Sequence, residues 1–229
     1  MKKPGYRHEI KYYINEGEYM LLSQRLRKTM SADENANEYG EYRIRSLYFD
    51  DPEDSAMRDK LSGFDGRSKV RLRIYSLSDE VIKLERKNKD NGYILKESIG
   101  LSREECGALL GGSYGFLISR PEEFAHEMYA EFRLRRLKPA VIVDYVREAY
   151  VFPVEDVRIT FDKDIRTAHR SADLFNRDLP TYPVIDGYDM VLEVKYNKYL
   201  PSYIRGLIQT GAADRSAISK YVFCRKYEL

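Results

Sequence analysis

Apolar and charged residues alternate with a period of two in four segments of the chain. These segments are 70–75, 82–87, 157–162 and 191–196. Successive side chains of a β-strand point to opposite faces, so this period predicts strands with one apolar face and one ionic face. The ionic face recurs on strand after strand and is rich in Arg and Lys. We therefore predict that the strands close around a polar lumen shaped for a polyanion.

The rest of the pattern predicts further strands and several helices. Strands are expected at 8–14, 42–49, 69–75, 81–86, 93–99, 140–151, 157–162 and 190–196. Helices are expected at about 15–30, 54–61, 102–111, 121–136 and 201–210, with a short basic turn or helix at 216–221 and loops at 31–40 and 164–183. Asn15 and the Ser102/Glu105 pair are typical of helix N-termini. No repeat or linker divides residues 1–229, which predicts a single α+β domain, an antiparallel β-barrel tunnel with flanking helices.

Composition and charge restrict the class of protein. The 229 residues suffice for one large β-rich domain. A net charge of +2, from 39 Lys and Arg against 37 Asp and Glu, argues against a general nucleic-acid binder, so any basic site must be local. No apolar run approaches the ~20 residues of a membrane span. Cys106 and Cys224 have no metal-ligand spacing and make no disulfide framework, so we expect a soluble, cytoplasmic protein.

The ionic faces of the predicted strands form one set of candidate ligand-binding residues, in which cations outnumber carboxylates. Guanidinium groups bind phosphate oxygens in bidentate fashion, ammonium groups add positive charge, and carboxylates can hold a divalent metal that bridges phosphates. Without a ligand, such cations would repel one another. The set consists of Glu9, Lys11, Arg43, Arg45, Arg71, Arg73, Lys83, Glu85, Lys87, Lys96, Arg147, Arg158, Asp162, Glu193 and Lys195.

Several short motifs follow one another along the chain. They are Glu9-Ile10-Lys11-Tyr12, Ser46-Leu47-Tyr48-Phe49-Asp50, Arg71-x-Arg73-x-Tyr75, Leu84-Glu85-Arg86-Lys87, Val157-Arg158-Ile159-x-x-Asp162, Leu192-Glu193-Val194-Lys195 and Ser219-Lys220-Tyr221. In this order they resemble the VTC domain, the catalytic domain of vacuolar transporter chaperone polyphosphate polymerases and a branch of the triphosphate tunnel metalloenzymes (the CYTH-like group). The resemblance runs from about residue 6 to residue 225.

The resemblance implies a tunnel in which ATP, with Mn²⁺ or Mg²⁺, gives its γ-phosphoryl group to a growing polyphosphate chain and leaves ADP. The catalytic phosphate contacts that it implies are Lys11, Arg71, Arg73, Lys87, Arg147 and Arg158, with Lys220 near the acceptor or the tunnel mouth. It also implies a phosphate contact for Lys96 and metal ligation for Glu193. The ionic faces of the predicted strands add Arg43, Arg45, Lys83 and Lys195 as phosphate contacts. They also add Glu85, Glu9 and Asp162 as candidate metal ligands.

Two positions depart from the family pattern. Hydrolytic relatives typically open with Glu-x-Glu-x-Lys, and here Arg7 stands in place of the first Glu. The loss of one metal ligand favours polymerisation over hydrolysis. Eukaryotic polymerases tend to carry His where this chain has Lys89, which affects how the polymer is handled. No membrane helices accompany the motifs, so coupling of synthesis to translocation would need a separate membrane protein.

Other interpretations of these residues remain open from sequence alone. Arg-x-Arg-x-Tyr can be the solvated face of an edge strand, and Glu193 can be the ion-pair partner of an Arg. The enzymatic alternative is a triphosphatase of the tunnel family. A non-catalytic alternative is a module that binds polyphosphate or inositol phosphates. An RNA-binding sheet is disfavoured by the near-neutral charge, and the three His residues are too scattered for a triad.

Overall fold

The computed structural model describes residues 7–91, 93–168, 170–185, 190–209 and 218–228. Its strands are β1 (His8–Ile14), β2 (Ser31–Ala32), β3 (Glu41–Asp50), β4 (Arg67–Tyr75), β5 (Ser78–Asp90), β6 (Tyr93–Leu101), β7 (Lys138–Phe152), β8 (Val157–Ala168), β9 (Tyr182–Pro183) and β10 (Met190–Tyr196). The helices are α1 (Glu16–Arg27), α2 (Ser55–Leu61), α3 (Arg103–Leu110), α4 (Glu123–Arg135), α5 (Ser202–Ile208) and α6 (Lys220–Glu228). None of the helices in these ranges has the length and apolar composition of a membrane span.

The strands form one antiparallel sheet that curves into a tunnel. The order is β1-β10-β8-β7-β3-β4-β5-β6, with the short β2 on β7 and β9 on β8. The two edge strands approach each other at a bridge in which the Arg7 N–H donates to the Ile94 carbonyl oxygen at 3.3 Å. The sheet is therefore not closed by a continuous ladder, yet it encloses a lumen. This confirms the predicted α+β tunnel fold.

The strand register places ionic residues of neighbouring strands opposite one another on the lumen face. Arg71 of β4 lies opposite Glu85 of β5, and Lys11 of β1 lies opposite Glu193 of β10. The residues that alternate with these along each strand, such as Leu72 after Arg71, are buried on the outer face. The period-two alternation therefore separates a polar lumen from an apolar outer layer, as the sequence predicts.

Helices cover the outer layer on two sides and close part of the lumen. Helices α3 and α4 pack against β4 and β5 in one apolar cluster, and α1 and α5 pack against β8 and β10 in another. Helices α2 and α6 belong to a third cluster, in which Met57 and Tyr221 lie with Tyr48 and Val141 of the lumen face. These two helices thus bring their own side chains to one end of the tunnel.

Both predicted helix caps are confirmed. The Asn15 side chain accepts from the Glu18 N–H at 2.9 Å, and the Glu18 carboxylate accepts from the Asn15 N–H at 3.0 Å. Ser102 and Glu105 make the same reciprocal pair. Each pair satisfies two N–H groups that a helix N-terminus leaves unbonded, which defines where α1 and α3 begin.

The predicted loops contain more strand than expected. The prediction of a loop over 164–183 was wrong at both ends, because β8 continues to Ala168 and β9 pairs with it. Ile165 and Ala168 are buried, so tertiary packing overrides the polar local pattern. The loop predicted at 31–40 likewise opens with β2. Predictions that fall on Gly92, His169, Thr210 and residues 216–217 lie outside the described residues.

Arg43 and Arg45 lie on the outer face of β3, so their predicted place in the lumen was wrong. Arg43 and Arg45 each donate Nε to the Asp144 carboxylate at 2.8 Å, and Arg45 also donates to the Asn176 carbonyl oxygen. The lumen side of β3 instead carries residues of the other parity, such as Ser46, which accepts from Arg73. Alternation separates two faces but does not reveal which of them faces the lumen, because a buried carboxylate can neutralise cations on either side.

We expect Arg45→Met to lower the free energy of unfolding by about 3 kcal/mol, because it leaves a buried carboxylate short of one cation. Arg43→Met is the matched control: its side chain is 39% exposed, and its loss should cost about 1 kcal/mol or less. Urea unfolding measures both. Neither variant should change tripolyphosphate affinity, and weaker binding by Arg45→Met at unchanged stability would return this residue to the ligand site.

Candidate phosphate-binding tunnel

Two cavities occupy the lumen and share part of their walls. The smaller, of about 470 Å³, contains Lys11, Glu193 and Lys220, and we call it the Lys220 cavity. The larger, of about 720 Å³, contains Lys83, Lys96 and Arg158, and we call it the Arg158 cavity. The residues common to both, which we call the central segment, are Glu9, Arg71, Arg73, Lys87, Ile94, Arg147 and Lys195. The lumen is therefore one passage with a cationic middle.

The structure brings all seven predicted catalytic residues together in this passage. Four of them lie in the central segment, namely Arg71, Arg73, Lys87 and Arg147. Lys11 and Lys220 line only the Lys220 cavity, and Arg158 lines only the Arg158 cavity. Of the further predicted phosphate contacts, Lys195 lies in the central segment and Lys83 and Lys96 line the Arg158 cavity, whereas Arg43 and Arg45 lie outside the lumen.

Buried carboxylates hold these cations in place. Glu85 accepts from Arg71 Nε at 2.7 Å and from Lys96 Nζ at 3.0 Å. Asp162 binds Arg147 through two bonds of 2.6 and 2.8 Å, and its Oδ2 is 2.5 Å from Lys220 Nζ. The expectation of cations that simply repel one another is thus corrected, because ion pairs interleave with them. Each carboxylate stabilises the side-chain positions that a phosphate ligand would meet.

Glu9 and Glu193 play the same part at the wall of the lumen. Glu9 is 2.7 Å from Lys87 Nζ and 3.0 Å from Lys11 Nζ, and Glu193 is 2.7 Å from Lys195 Nζ. Burial raises the pKa of Glu9, but Lys11, Lys87 and Lys195 together lower it to about 2. The same balance lowers the pKa of Glu193. Both carboxylates are therefore ionised at neutral pH.

The cations remain in excess despite these pairs. Eleven Lys and Arg residues line the Lys220 cavity against two Glu. Burial, opposed by Glu193, lowers the pKa of Lys195 to about 8, and burial together with Lys11 and Lys87 lowers the pKa of Lys69. The lumen therefore favours an anionic ligand of several charges, which would relieve the cost of holding these ammonium groups protonated.

Comparison with known proteins identifies the family. The family model of the VTC domain matches residues 6–228, nearly the whole chain. The chain belongs to the VTC domain family. Comparison with curated proteins finds no match.

One solved structure supports the fold of this VTC domain. A Bacillus halodurans protein described as a candidate adenylate cyclase has a TM-score of 0.50 and 12% identity, over 88% of this chain and 86% of that one. Two further similarities score lower. A Vibrio parahaemolyticus protein of the same description has a TM-score of 0.47 and 10% identity, over 90% and 86% of the two chains. A Pyrococcus horikoshii protein has a TM-score of 0.45 and 14% identity, over 89% of this chain and 84% of that one. At 12% identity, the first similarity shows the tunnel fold alone.

The four predicted metal ligands of the VTC domain differ in what they can bind. Glu85 and Asp162 line neither cavity of the lumen and are bonded to arginine and lysine side chains, so they lie as counter-ions behind the wall, and their assignment as metal ligands stays a prediction. Glu9 and Glu193 line the Lys220 cavity on adjacent strands, and burial and repulsion by Glu193 both act to raise the pKa of Glu9 against the pull of the nearby lysines. Within the described ranges, no group of three or more His, Cys, Asp or Glu side chains could hold a metal.

Two carboxylates nevertheless suffice for one kind of metal site. Mg²⁺ is usually bound by one or two carboxylates together with substrate phosphates, and it rarely has a complete protein cage. The donor set of Glu9 and Glu193 therefore fits a divalent ion that arrives with the phosphates.

Sequence reasoning missed several residues of the VTC domain tunnel. Lys69 lies on the same face of β4 as Arg71 and donates to Ser219 Oγ at 2.9 Å. Its position two residues before Arg71 was a usable signal. Tyr48 accepts from Arg71 at 2.7 Å, and Tyr145 accepts from Arg73 at 3.4 Å. These phenols orient guanidinium groups, and nothing in the sequence pattern distinguishes them from core tyrosines.

A bound polyanion should return Lys195 to full protonation, because added negative charge raises the pKa that burial holds at about 8. At pH 8 about half of the free protein carries a neutral Lys195, so binding takes up about half a proton more in wild type than in Lys195→Met. Titration calorimetry of tripolyphosphate in buffers of different ionisation enthalpy measures this difference and cancels the ligand's own protons. Equal uptake by both proteins would mean that Lys195 is already fully charged.

Proposed function

We propose that this VTC domain is a metal-dependent polyphosphate polymerase that uses ATP. The observation that carries the proposal is the central segment, a group of cations common to the two adjoining cavities of the passage. A polymerase must hold a nucleotide and a growing chain at once, with their reacting phosphates adjacent. Two cavities that share one cationic wall suit that requirement. A protein that binds only one short triphosphate has no need of the second cavity.

The lining residues of the two cavities differ, and the difference supports an assignment of ATP to one side and the polyphosphate chain to the other. The Arg158 cavity includes Tyr75 and Val81, apolar surfaces that suit a nucleoside. The Lys220 cavity also has aromatic side chains in its wall, but it adds Lys60, Arg67 and Lys69 to the central cations, and this greater positive charge suits a chain of phosphates. We infer that ATP occupies the Arg158 side, with its γ-phosphate at the central segment, and that the chain occupies the Lys220 side.

The proposed transfer needs positioning and charge neutralisation rather than a protein nucleophile. A terminal oxygen of the chain bonds to the γ-phosphorus while the bond from that phosphorus to the β–γ bridging oxygen breaks, and ADP leaves with the bond's electrons. Arg71, Arg73 and Arg147 are held by ion pairs and phenols, so they can stabilise the transferring group without rearrangement. The attacking oxygen is already ionised, so no general base is required. A divalent ion at Glu9 and Glu193 would supply further neutralisation of phosphate charge.

Hydrolysis by a triphosphatase is the weaker alternative on these observations. Water must lose a proton to attack phosphorus, and a useful general base has a pKa near the working pH. Glu9, at a pKa of about 2, is too weak a base. Arg7, at the position of the first Glu in hydrolytic relatives, lies 3.1 Å from Asp156 and adds no carboxylate to the lumen.

The cellular setting is also a proposal. We propose that ATP or triphosphate and polyphosphate are the ligands, with no nucleic acid, and that the domain acts in the cytoplasm. Transport of the product across a membrane would require a separate membrane protein.

A product assay tests the function directly. Incubation with ATP and Mn²⁺ or Mg²⁺ should yield a ladder of polyphosphate on a gel together with ADP. Release of orthophosphate without polymer would establish the triphosphatase alternative. Absence of both products, with tight tripolyphosphate binding, would leave a binding module for polyphosphate or inositol phosphates.

Glu193→Gln should abolish polymer synthesis while tripolyphosphate still binds in the absence of metal. The amide keeps the side-chain shape but removes the anionic oxygen that the metal needs, and the lumen cations remain. Glu80→Gln is the matched control, because Glu80 is an exposed carboxylate at the Arg158 cavity. Turnover and metal-free binding should be measured for both variants. Full turnover by Glu193→Gln would remove Glu193 from the metal site.

A further inference from the structure

Arg158 differs from the other predicted catalytic cations in the origin of its counter-ion. The pairs described above use Glu9, Glu85 or Asp162, which lie on long strands of the sheet. Arg158 instead has its Nη2 2.5 Å from Oδ2 of Asp33. Asp33 directly follows the two-residue strand β2, in a segment predicted as a loop. A residue outside the lumen strands therefore acts on a lumen cation.

The Asp33 carboxylate is charged and fixed in position. The residue is 6% exposed, and its N–H donates to the Ala149 carbonyl oxygen of β7 at 2.9 Å. Its Oδ1 accepts from the Asn35 N–H at 3.0 Å and from Asn35 Nδ2 at 2.7 Å. Burial raises the pKa of Asp33, but the hydrogen bonds from Asn35 and the charge of Arg158 lower it below its ordinary value. Asp33 therefore presents an ionised Oδ2 at one fixed place behind Arg158.

The hydrogen bonds of the Arg158 guanidinium leave one nitrogen for a ligand. Nη2 donates to Asp33 Oδ2 at 2.5 Å and to the Tyr42 hydroxyl oxygen at 2.7 Å, which takes both of its hydrogens. Nε is buried and has no hydrogen-bond partner among the described residues. Since the side chain is 33% exposed and lines the Arg158 cavity, Nη1 is the nitrogen that can donate into it. The direction of that donor depends on the two bonds at Nη2.

Asp33 also determines where the Arg158 side chain lies. The register puts Lys195 of β10 directly opposite Arg158, and Arg147 lines the same cavity. Like charges opposite each other repel, and a long arginine side chain has many rotamers in which to avoid the repulsion. Asp33 itself does not line the cavity. Its effect on a ligand therefore passes through Arg158.

We propose that Asp33 is a positioning residue for the nucleotide: through Arg158 it directs Nη1 at the phosphates of ATP in the Arg158 cavity. The inference rests on the proposed function insofar as those phosphates belong to ATP. Because Asp33 and Tyr42 occupy Nη2, Arg158 contacts phosphate through a single nitrogen and not through a bidentate fork. Asn35, which Asp33 also holds, lines the same cavity. The segment after β2 thus contributes to the nucleotide site.

Binding of ATP without metal tests this role through the sign of the effect. Asp33→Asn should weaken ATP binding by roughly tenfold, because Arg158 loses a charge-assisted hydrogen bond and its freed side chain must be ordered again when the ligand binds. If Asp33 served only as a counter-ion, the same change would tighten binding, since it removes a negative charge near an anionic ligand. Titration calorimetry measures the affinity. Unchanged or tighter binding of ATP would overturn the positioning role.

A double-mutant cycle separates positioning from a general structural effect. Arg158→Gln should itself weaken ATP binding, and adding Asp33→Asn should cause no further loss, because no guanidinium remains to be positioned. Tyr42→Phe removes the other acceptor of Nη2 and leaves the segment around Asp33 intact. It should weaken ATP binding by about threefold, again only when Arg158 is present, and it decides the test if Asp33→Asn fails to fold. Losses that are equal with and without Arg158 would contradict the proposal.

Asp144→Asn is the matched control. Asp144 is a buried carboxylate that holds Arg43 and Arg45 on the outer face. Its replacement should lower the free energy of unfolding, because a counter-ion is lost, and should leave ATP affinity unchanged. An equal loss of ATP affinity in this variant would attribute the effect of Asp33→Asn to a weakened fold and overturn the positioning role.

Kinetics connect Asp33 to the proposed reaction. If the domain makes polymer, Asp33→Asn should raise the KM for ATP while the KM for the polyphosphate primer stays unchanged, because the chain occupies the Lys220 side. An equal rise in both would overturn the assignment of Asp33 to the nucleotide, and so would failure of wild type to bind ATP. If ATP binds but no polymer forms with any protein, the proposed function fails, and metal-free binding still decides the role of Asp33.

Discussion

The burial of many like charges in one lumen is the constraint on which the rest of this structure depends. Eleven cations line the Lys220 cavity, and a folded protein cannot hold them together without counter-charges. Glu85 and Asp162 supply these from beneath the surface, and Glu9 and Glu193 supply them at the wall. The balance leaves the lumen positive but its side chains fixed. A polyanion site requires cations in fixed positions that outnumber the carboxylates around them, and this lumen has both features.

The counter-ions also explain why the positively charged residues of the lumen differ in how firmly they are held. Arg147 bonded twice to Asp162 is a rigid donor, and Arg71 between Glu85 and Tyr48 is another. Among the described residues, Lys69 donates to the Ser219 hydroxyl and lies beside the Tyr221 ring, with no carboxylate as ion-pair partner. Rigid arginines suit the transferring phosphoryl group, where geometry matters most. In the proposed polymerase reaction, loosely held lysines suit a polymer that would slide after each addition.

In the outer layer, buried ion pairs stabilise the fold and lie away from the lumen. Arg45 and Asp144 form a buried pair between neighbouring strands, and Arg86 joins Glu97 to helix α4 through Glu131. These cations lie on strands that also line the tunnel, yet their side chains lie outside its two cavities. Charge on a strand is thus no sign of function by itself. What distinguishes the lumen is an excess of cations over the carboxylates within reach.

The sequence by itself determined the strands, the helix caps and the parity of each strand. Period-two alternation is a local property, because neighbouring side chains of a strand must point to opposite faces. It correctly grouped Arg71 with Arg73, and Lys11 with Glu9. The order of motifs along the chain also carried enough information to identify the VTC domain family.

Only the tertiary structure decided which face is the lumen and which charges meet there. Arg43 and Arg45 alternate as clearly as Arg71 and Arg73, but the pairing of β3 with β7 turns them outward onto Asp144. Lys60 joins the tunnel from a helix with no ionic pattern of its own. The separation of Glu85 and Asp162 from Glu9 and Glu193 likewise depends on which cations reach them. Such pairings are non-local, since they depend on distances between strands that lie far apart in the chain.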